Sequence, residues 1–180
     1  SNHVHIVAHV HEVEAVAGMM HLAAGAGGQQ YNRRKGSSGA FWEDTYHCTI
    51  VENGRHLWNC LLYVDLNMVR AGVVAHPSEW PWCGYAELMG KRQRYRILRL
   101  DRLLEGLGGG SLSNLRAAYA ASLNERLAAT GKCREPQWTE ALAVGSRDFV
   151  GGVQSQYVSR SRFVLESSTR KSRSTNCPRA

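Results

Sequence analysis

The chain has no run of roughly 18 apolar residues, so no membrane-spanning helix is expected. Its first residues lack a basic start leading into an apolar stretch and a small-residue cleavage site, so no secretory leader is expected either. The five cysteines, Cys48, Cys60, Cys83, Cys133 and Cys177, form no Cys-x-x-Cys. That argues against a zinc ribbon and for reduced thiols in a cytoplasm. No internal repeat is present. Acidic residues are scarce: 15 Asp and Glu stand against 22 Lys and Arg, for a net charge of +7. Such an excess favours a polyanionic partner, chiefly nucleic acid, although an unspecific basic surface has the same composition. The 180 residues suit one domain with a modest core and an appendage.

What is there begins with Asn2-His3-Val4-His5-Ile6-Val7. As an extended strand, this stretch puts His3 and His5 on one face and Val4 and Ile6 on the other. Two neighbouring neutral imidazoles are half of a divalent-metal site. Taken alone, a His-x-His pair is a weak signal. A helix is expected over residues 11–32, weakened by Gly25, Gly27 and Gly28. It leads into Tyr31-Asn32-Arg33-Arg34-Lys35, an aromatic beside three cations, which suits a phosphate backbone and a stacked base. Three cations also complement the C-terminal end of any helix. Phe41 and Trp42 are expected to anchor the loop after it to the core, and Tyr46–Val51 has the composition of a strand.

Asn53 is a candidate cap for a helix reaching about Ala71 and stopped by Gly72. Leu57, Trp58, Leu61, Leu62, Leu66 and Val69 form its apolar stripe, interrupted by Asp65. A buried carboxylate there needs a partner. Tyr63, Asn67 and Arg70 fall on the less apolar face, where a phenol could meet a substrate and Arg70 a phosphate. A tyrosine on a helix is nonetheless more often a half-buried core residue. The loop with Trp80, Pro81 and Trp82 either packs over the domain, the favoured reading, or stacks DNA bases, and Lys91-Arg92-Gln93-Arg94-Tyr95-Arg96 is a second basic and aromatic cluster suited to DNA. Helices are expected at about 112–129 and 145–158, followed by a basic, disordered tail over 159–180.

The histidine strand, Phe41-Trp42-Glu43 leading to Tyr46, the stretch Tyr63-Val64-Asp65-Leu66-Asn67-Met68-Val69-Arg70-Ala71-Gly72-Val73-Val74, and Pro77 with Trp80-Pro81-Trp82-Cys83-Gly84-Tyr85 occur in one order. Together they resemble the IS200-like transposase family, the single-tyrosine members of the HUH (His-hydrophobic-His) nucleases. The branch they resemble most is the REP-associated tyrosine transposases. The resemblance implies an α+β, ferredoxin-like HUH core, an antiparallel sheet with helices on one face, over about residues 1–90. It also implies that this core is N-terminally truncated, since family members carry a strand and helix ahead of the histidine strand. A helical extension over 91–158 and the tail over 159–180 would follow.

By the same resemblance, Tyr63 is the catalytic nucleophile, and His3, His5 and Asn67 hold Mg²⁺ or Mn²⁺. Tyr31, Arg33, Arg34, Lys35, Arg70, Lys91, Arg92 and Arg94 would contact DNA. Met68 stands where relatives generally carry proline. The implied activity is cutting and rejoining single-stranded or hairpin DNA through a 5′-phosphotyrosine. The setting would be a bacterial cytoplasm, at the nucleoid, and the enzyme a monomer or homodimer without a membrane partner. A protein that binds hairpins without nicking them is the alternative.

Overall fold

The structure, a computed structural model, describes residues 3–43, 45–129 and 135–156. The segment 159–180 lies outside them. The chain divides into two compact units, one of Val7–Cys48 and one that joins Ser1–Ile6 to the chain from Thr49 onward.

The Val7–Cys48 unit is one long helix with a returning loop. Helix α1 (Val13–Lys35) runs slightly past the expected end, and Gly36 stops it with φ 61°, a left-handed value that glycine adopts without a Cβ penalty. The loop then folds back. Asn32 Nδ2 donates to the Gly39 carbonyl at 3.0 Å, and Trp42 Nε1 donates to the Ala24 carbonyl at 2.9 Å. Phe41 packs between Tyr31 and Trp42, with ring centroids 4.6 and 4.8 Å away. Gly28 makes this possible, because a Cβ there would lie 3.2 Å from Phe41 Cβ. Phe41 and Trp42 therefore anchor the loop onto α1 and not into a core as expected, each staying 40% exposed.

The second unit is built around α2 (Arg55–Asp65) and its continuation α3 (Asn67–Arg70), with a single turn at Leu66 between them. The start differs from expectation. Asn53 does not cap α2; Gly54 does, with φ 70° and its amide donating to the Gly106 carbonyl at 2.7 Å. A positive φ favours glycine there over an Asx cap. The end is as expected: Gly72 at φ 70° terminates the helix, with Val73 N–H bonded to the Met68 carbonyl. After a 3₁₀ turn at Pro77–Glu79 come α4 (Tyr85–Leu88), α5 (Leu100–Gly106) and α6 (Leu112–Ala128). Then follow α7 (Gln137–Glu140), strand β2 (Ala143–Val144) and α8 (Arg147–Gln156).

The fold is mixed and helix-rich. Its sheet, among the described residues, has two strands of two residues each: β1 (Ile50–Val51) pairs with β2 in parallel, Ile50 opposite Ala143 and Val51 opposite Val144. The expectation of an antiparallel sheet is corrected here. A long helical crossover separates β1 from β2, and such a connection brings strands together in parallel. Tyr46–Thr49 were also expected in the strand, but only Ile50 and Val51 find a partner ladder. Residues 3–10 carry no sheet pairing among the described residues.

Two cores flank α2. Leu62 and Leu66 pack with Tyr85, Leu88, Leu115, Tyr119 and Leu123 of α4 and α6. Cys60 and Tyr63 pack with Trp138, Ala141 and Val144 on another side. The first core spans position 90, so residues from both sides of the expected domain boundary share one interior. Asp65 sits at 7% exposure and accepts a hydrogen bond from the Tyr119 hydroxyl at 2.7 Å, which supplies the partner the sequence demanded. Burial raises its carboxyl pKa to about 6, against the pull of Tyr119 and the Tyr85 backbone amide.

Candidate active site around Tyr63

Four of the expected site residues come together. The His3 and His5 rings meet edge to face with centroids 4.9 Å apart. The next contact is His5 against Tyr63, edge to face at 5.5 Å. Arg70, seven residues and two turns along from Tyr63, folds back so that its guanidinium carbon lies 3.9 Å from the centre of the phenol ring. Its Nη2 donates to the Tyr63 carbonyl at 2.7 Å. A cation over an aromatic face is an attractive pair. The helix spacing that placed Tyr63 and Arg70 on one face is what permits it.

Asn67 opens α3 one turn after Tyr63 and is half-buried. The His5 Nε2 is shielded from solvent and has no hydrogen-bond partner among the described residues. Burial chiefly, then the charges of His3 and Arg70, hold the His5 pKa below its ordinary value, so the ring is neutral near pH 7. A buried, neutral, unpartnered imidazole nitrogen beside a second histidine has the chemistry of a metal ligand. Among the described residues no three His, Cys, Asp or Glu side chains cluster as a metal would require, so a cation here would rest on the two imidazoles and a neutral oxygen donor.

Tyr63 is not on an open face. It is 5% exposed, with Trp138 at 6.1 Å on its other flank. The sequence put Tyr63 on the less apolar face of the helix, within reach of a substrate, and that face too is covered: α2 buries two faces, the second under Trp138, Ala141 and Val144. Sequence reasoning missed Trp138 because nothing local marks a contact so far along the chain. Cys60, one turn before Tyr63, is no competing nucleophile, since burial and the nearby Glu135 push its thiol pKa up to about 11. Tyr46, another phenol of the sequence motifs, is 46% exposed.

The cations expected to contact DNA fall in both units. Arg33, Arg34 and Lys35 are exposed on the last turn of α1, beside a half-exposed Tyr31. Lys91 and Arg94 are exposed in the other unit, and Arg92 is half-buried, its Nη2 donating to the Pro81 carbonyl. No helix among the described residues is long and apolar enough to cross a membrane. No protein-family model, curated protein or solved structure matches this chain.

Proposed function

We propose that the chain is a metal-dependent, single-stranded DNA nicking and rejoining enzyme of the IS200-like, HUH transposase type, with Tyr63 as nucleophile. One observation carries the reading: His3, His5, Tyr63 and Arg70, from distant parts of the sequence, form an unbroken series of contacts. The Tyr63 hydroxyl would give up its proton to water as its oxygen attacks phosphorus, forming a P–O bond while the bond to the 3′-oxygen breaks and water returns a proton to that oxygen. That oxygen leaves as a free 3′-hydroxyl, and the phosphate stays on Tyr63 as a 5′-phosphotyrosine. Attack by a 3′-hydroxyl on the same phosphorus reverses the step and rejoins DNA. Arg70 supplies positive charge at the ring and a fork suited to phosphate oxygens. His3, His5 and Asn67 would hold Mg²⁺ or Mn²⁺, which when bound neutralises charge on the scissile phosphate.

The second reading is a protein that binds hairpin DNA without cutting it, and the burial of Tyr63 favours it. A denaturing gel separates the two. Labelled single-stranded hairpin DNA is incubated with Mn²⁺ and wild type, Tyr63→Phe or Tyr46→Phe. A covalent adduct with wild type and Tyr46→Phe but not with Tyr63→Phe is the expected result. An adduct persisting in Tyr63→Phe moves the chemistry to another tyrosine. Hairpin binding without any adduct leaves the second reading standing.

A further inference from the structure

The aromatic and basic loops that follow the candidate active site project outward in an unusual way. Trp82 is 79% exposed and Tyr95 90% exposed, so the packing expected of Trp82 does not occur. A single exposed ring is ordinary on a protein surface, and Ile97 beside Tyr95 is 82% exposed as well; what sets these two rings apart is the cations on the same loops and the way those loops are tied. The loop carrying Tyr95 is tied at both ends. At its start, the Lys91 and Arg92 amides both donate to the Ala86 carbonyl, at 2.8 and 3.0 Å. At its end, the buried Glu87 carboxylate accepts from the Ile97 and Leu98 amides, at 3.0 and 2.6 Å. Arg92 ties the loop sideways to Pro81, the residue before Trp82. Tyr95 itself has φ 54°, a left-handed conformation that costs a bulky side chain energy. From Trp80 to Leu98 the chain holds four cations and one acid, and that acid, Glu87, is buried and occupied by the loop.

We infer that Trp82 and Tyr95 are a base-stacking platform for single-stranded nucleic acid, with Lys91, Arg94 and Arg96 neutralising its phosphates. The inference rests on the proposed function and deepens it, by saying how an unpaired strand is held. Exposed rings beside cations, with no free carboxylate in the segment, match a polyanion whose bases are unstacked. A duplex keeps its bases stacked internally and offers such rings nothing but backbone.

The test is fluorescence anisotropy with a labelled single strand and a labelled blunt duplex. The proteins are the wild-type chain, Trp82→Ala, Tyr95→Ala, Tyr95→Gly, Tyr95→Phe and the triple Lys91→Ala, Arg94→Ala, Arg96→Ala. Each of the Ala and Gly ring deletions is expected to weaken single-strand binding about 5- to 100-fold, with duplex binding unchanged. Tyr95→Phe should bind as wild type. Tyr95→Gly should fall with Tyr95→Ala, because glycine fits the backbone and only the ring is lost. The triple variant should lower the slope of log K against log salt by about 2, at roughly 0.7 per phosphate contact on a single strand. Ring deletions that bind single strands like wild type overturn the platform; if the Tyr63-dependent adduct still forms, the proposed function survives that result. Ring deletions that weaken duplex and single strand alike also overturn it. A wild type that binds no single strand overturns both.

Discussion

Tyr119→Phe isolates one hydrogen bond in the core that fixes α2. The ring stays, so its edge-to-face contact with Trp58 at 5.4 Å is kept. What is lost is the hydroxyl that donates to Asp65 Oδ2 at 2.7 Å, between a tyrosine at 0% and an aspartate at 7% exposure. A buried bond to a charged acceptor is worth about 1.5–3 kcal/mol, and one between neutral groups about 0.5–1.5. Which value applies depends on pH. The Asp65 pKa is raised from 3.8 to about 6, so folding favours the protonated acid. Its contribution to stability is complete below pH 4 and is lost as pH rises through 6; at about 1.4 kcal/mol per tenfold change in proton affinity, the ionised form costs about 3 kcal/mol at pH 8. Tyr119 opposes that rise. Removing its hydroxyl should therefore cost about 2–3 kcal/mol at pH 8 and about 1 kcal/mol at pH 4.5. Urea denaturation followed by circular dichroism at both pH values measures the difference. An equal loss at the two pH values, or a larger one at pH 4.5, would refute a buried Asp65 that titrates near 6.

Two other substitutions probe the backbone. Gly145→Ala should destabilise by about 1–3 kcal/mol or more in the same assay, because its Cβ would lie 2.4 Å from Phe149 Cδ1 and 2.9 Å from Glu52 Cβ. Tyr95→Gly should raise stability by about 1 kcal/mol, since glycine tolerates φ 54° and the ring it removes is exposed. A melting temperature that drops for Tyr95→Gly would mean the ring supports the fold.

The helices were legible in the sequence where one face is apolar and the ends are marked. Leu112, Leu115, Tyr119 and Leu123 recur along α6, and Gly72 closes its helix through positive φ; Gly36 does the same for α1, whose end was expected at residue 32 instead. The bond between Asp65 and Tyr119 was half legible: a carboxylate in an apolar stripe announces a buried partner, but a phenol 54 positions away carries no local mark. The sheet was not legible. Pairing of β1 depends on Ala143 and Val144, two small apolar residues with no strand pattern around them. Strand composition at Tyr46–Thr49 could not produce a ladder without a partner beside it.

The position of Tyr63 failed for a different reason. Helical periodicity separates one apolar stripe from one polar face, and α2 has two covered faces. Its second face is lined by Cys60 and Tyr63, residue types that read as neutral until Trp138, Ala141 and Val144 close over them. Burial and chemistry are therefore both assigned to the same ring, and one variant separates them. Tyr63→Phe keeps the ring contacts with His5, Arg70 and Trp138 and the bond from Arg70 to the Tyr63 carbonyl, and loses only the interaction of the hydroxyl with Arg70. Its stability should stay within about 1 kcal/mol of wild type. Tyr63→Ala removes the ring and should cost about 3–5 kcal/mol, as large-to-small changes of buried aromatics do. A nucleophile predicts that both variants lose the DNA adduct while only Tyr63→Ala loses stability. If Tyr63→Phe is as damaging to the fold as Tyr63→Ala, the hydroxyl is a structural group and its proposed role in cutting DNA fails.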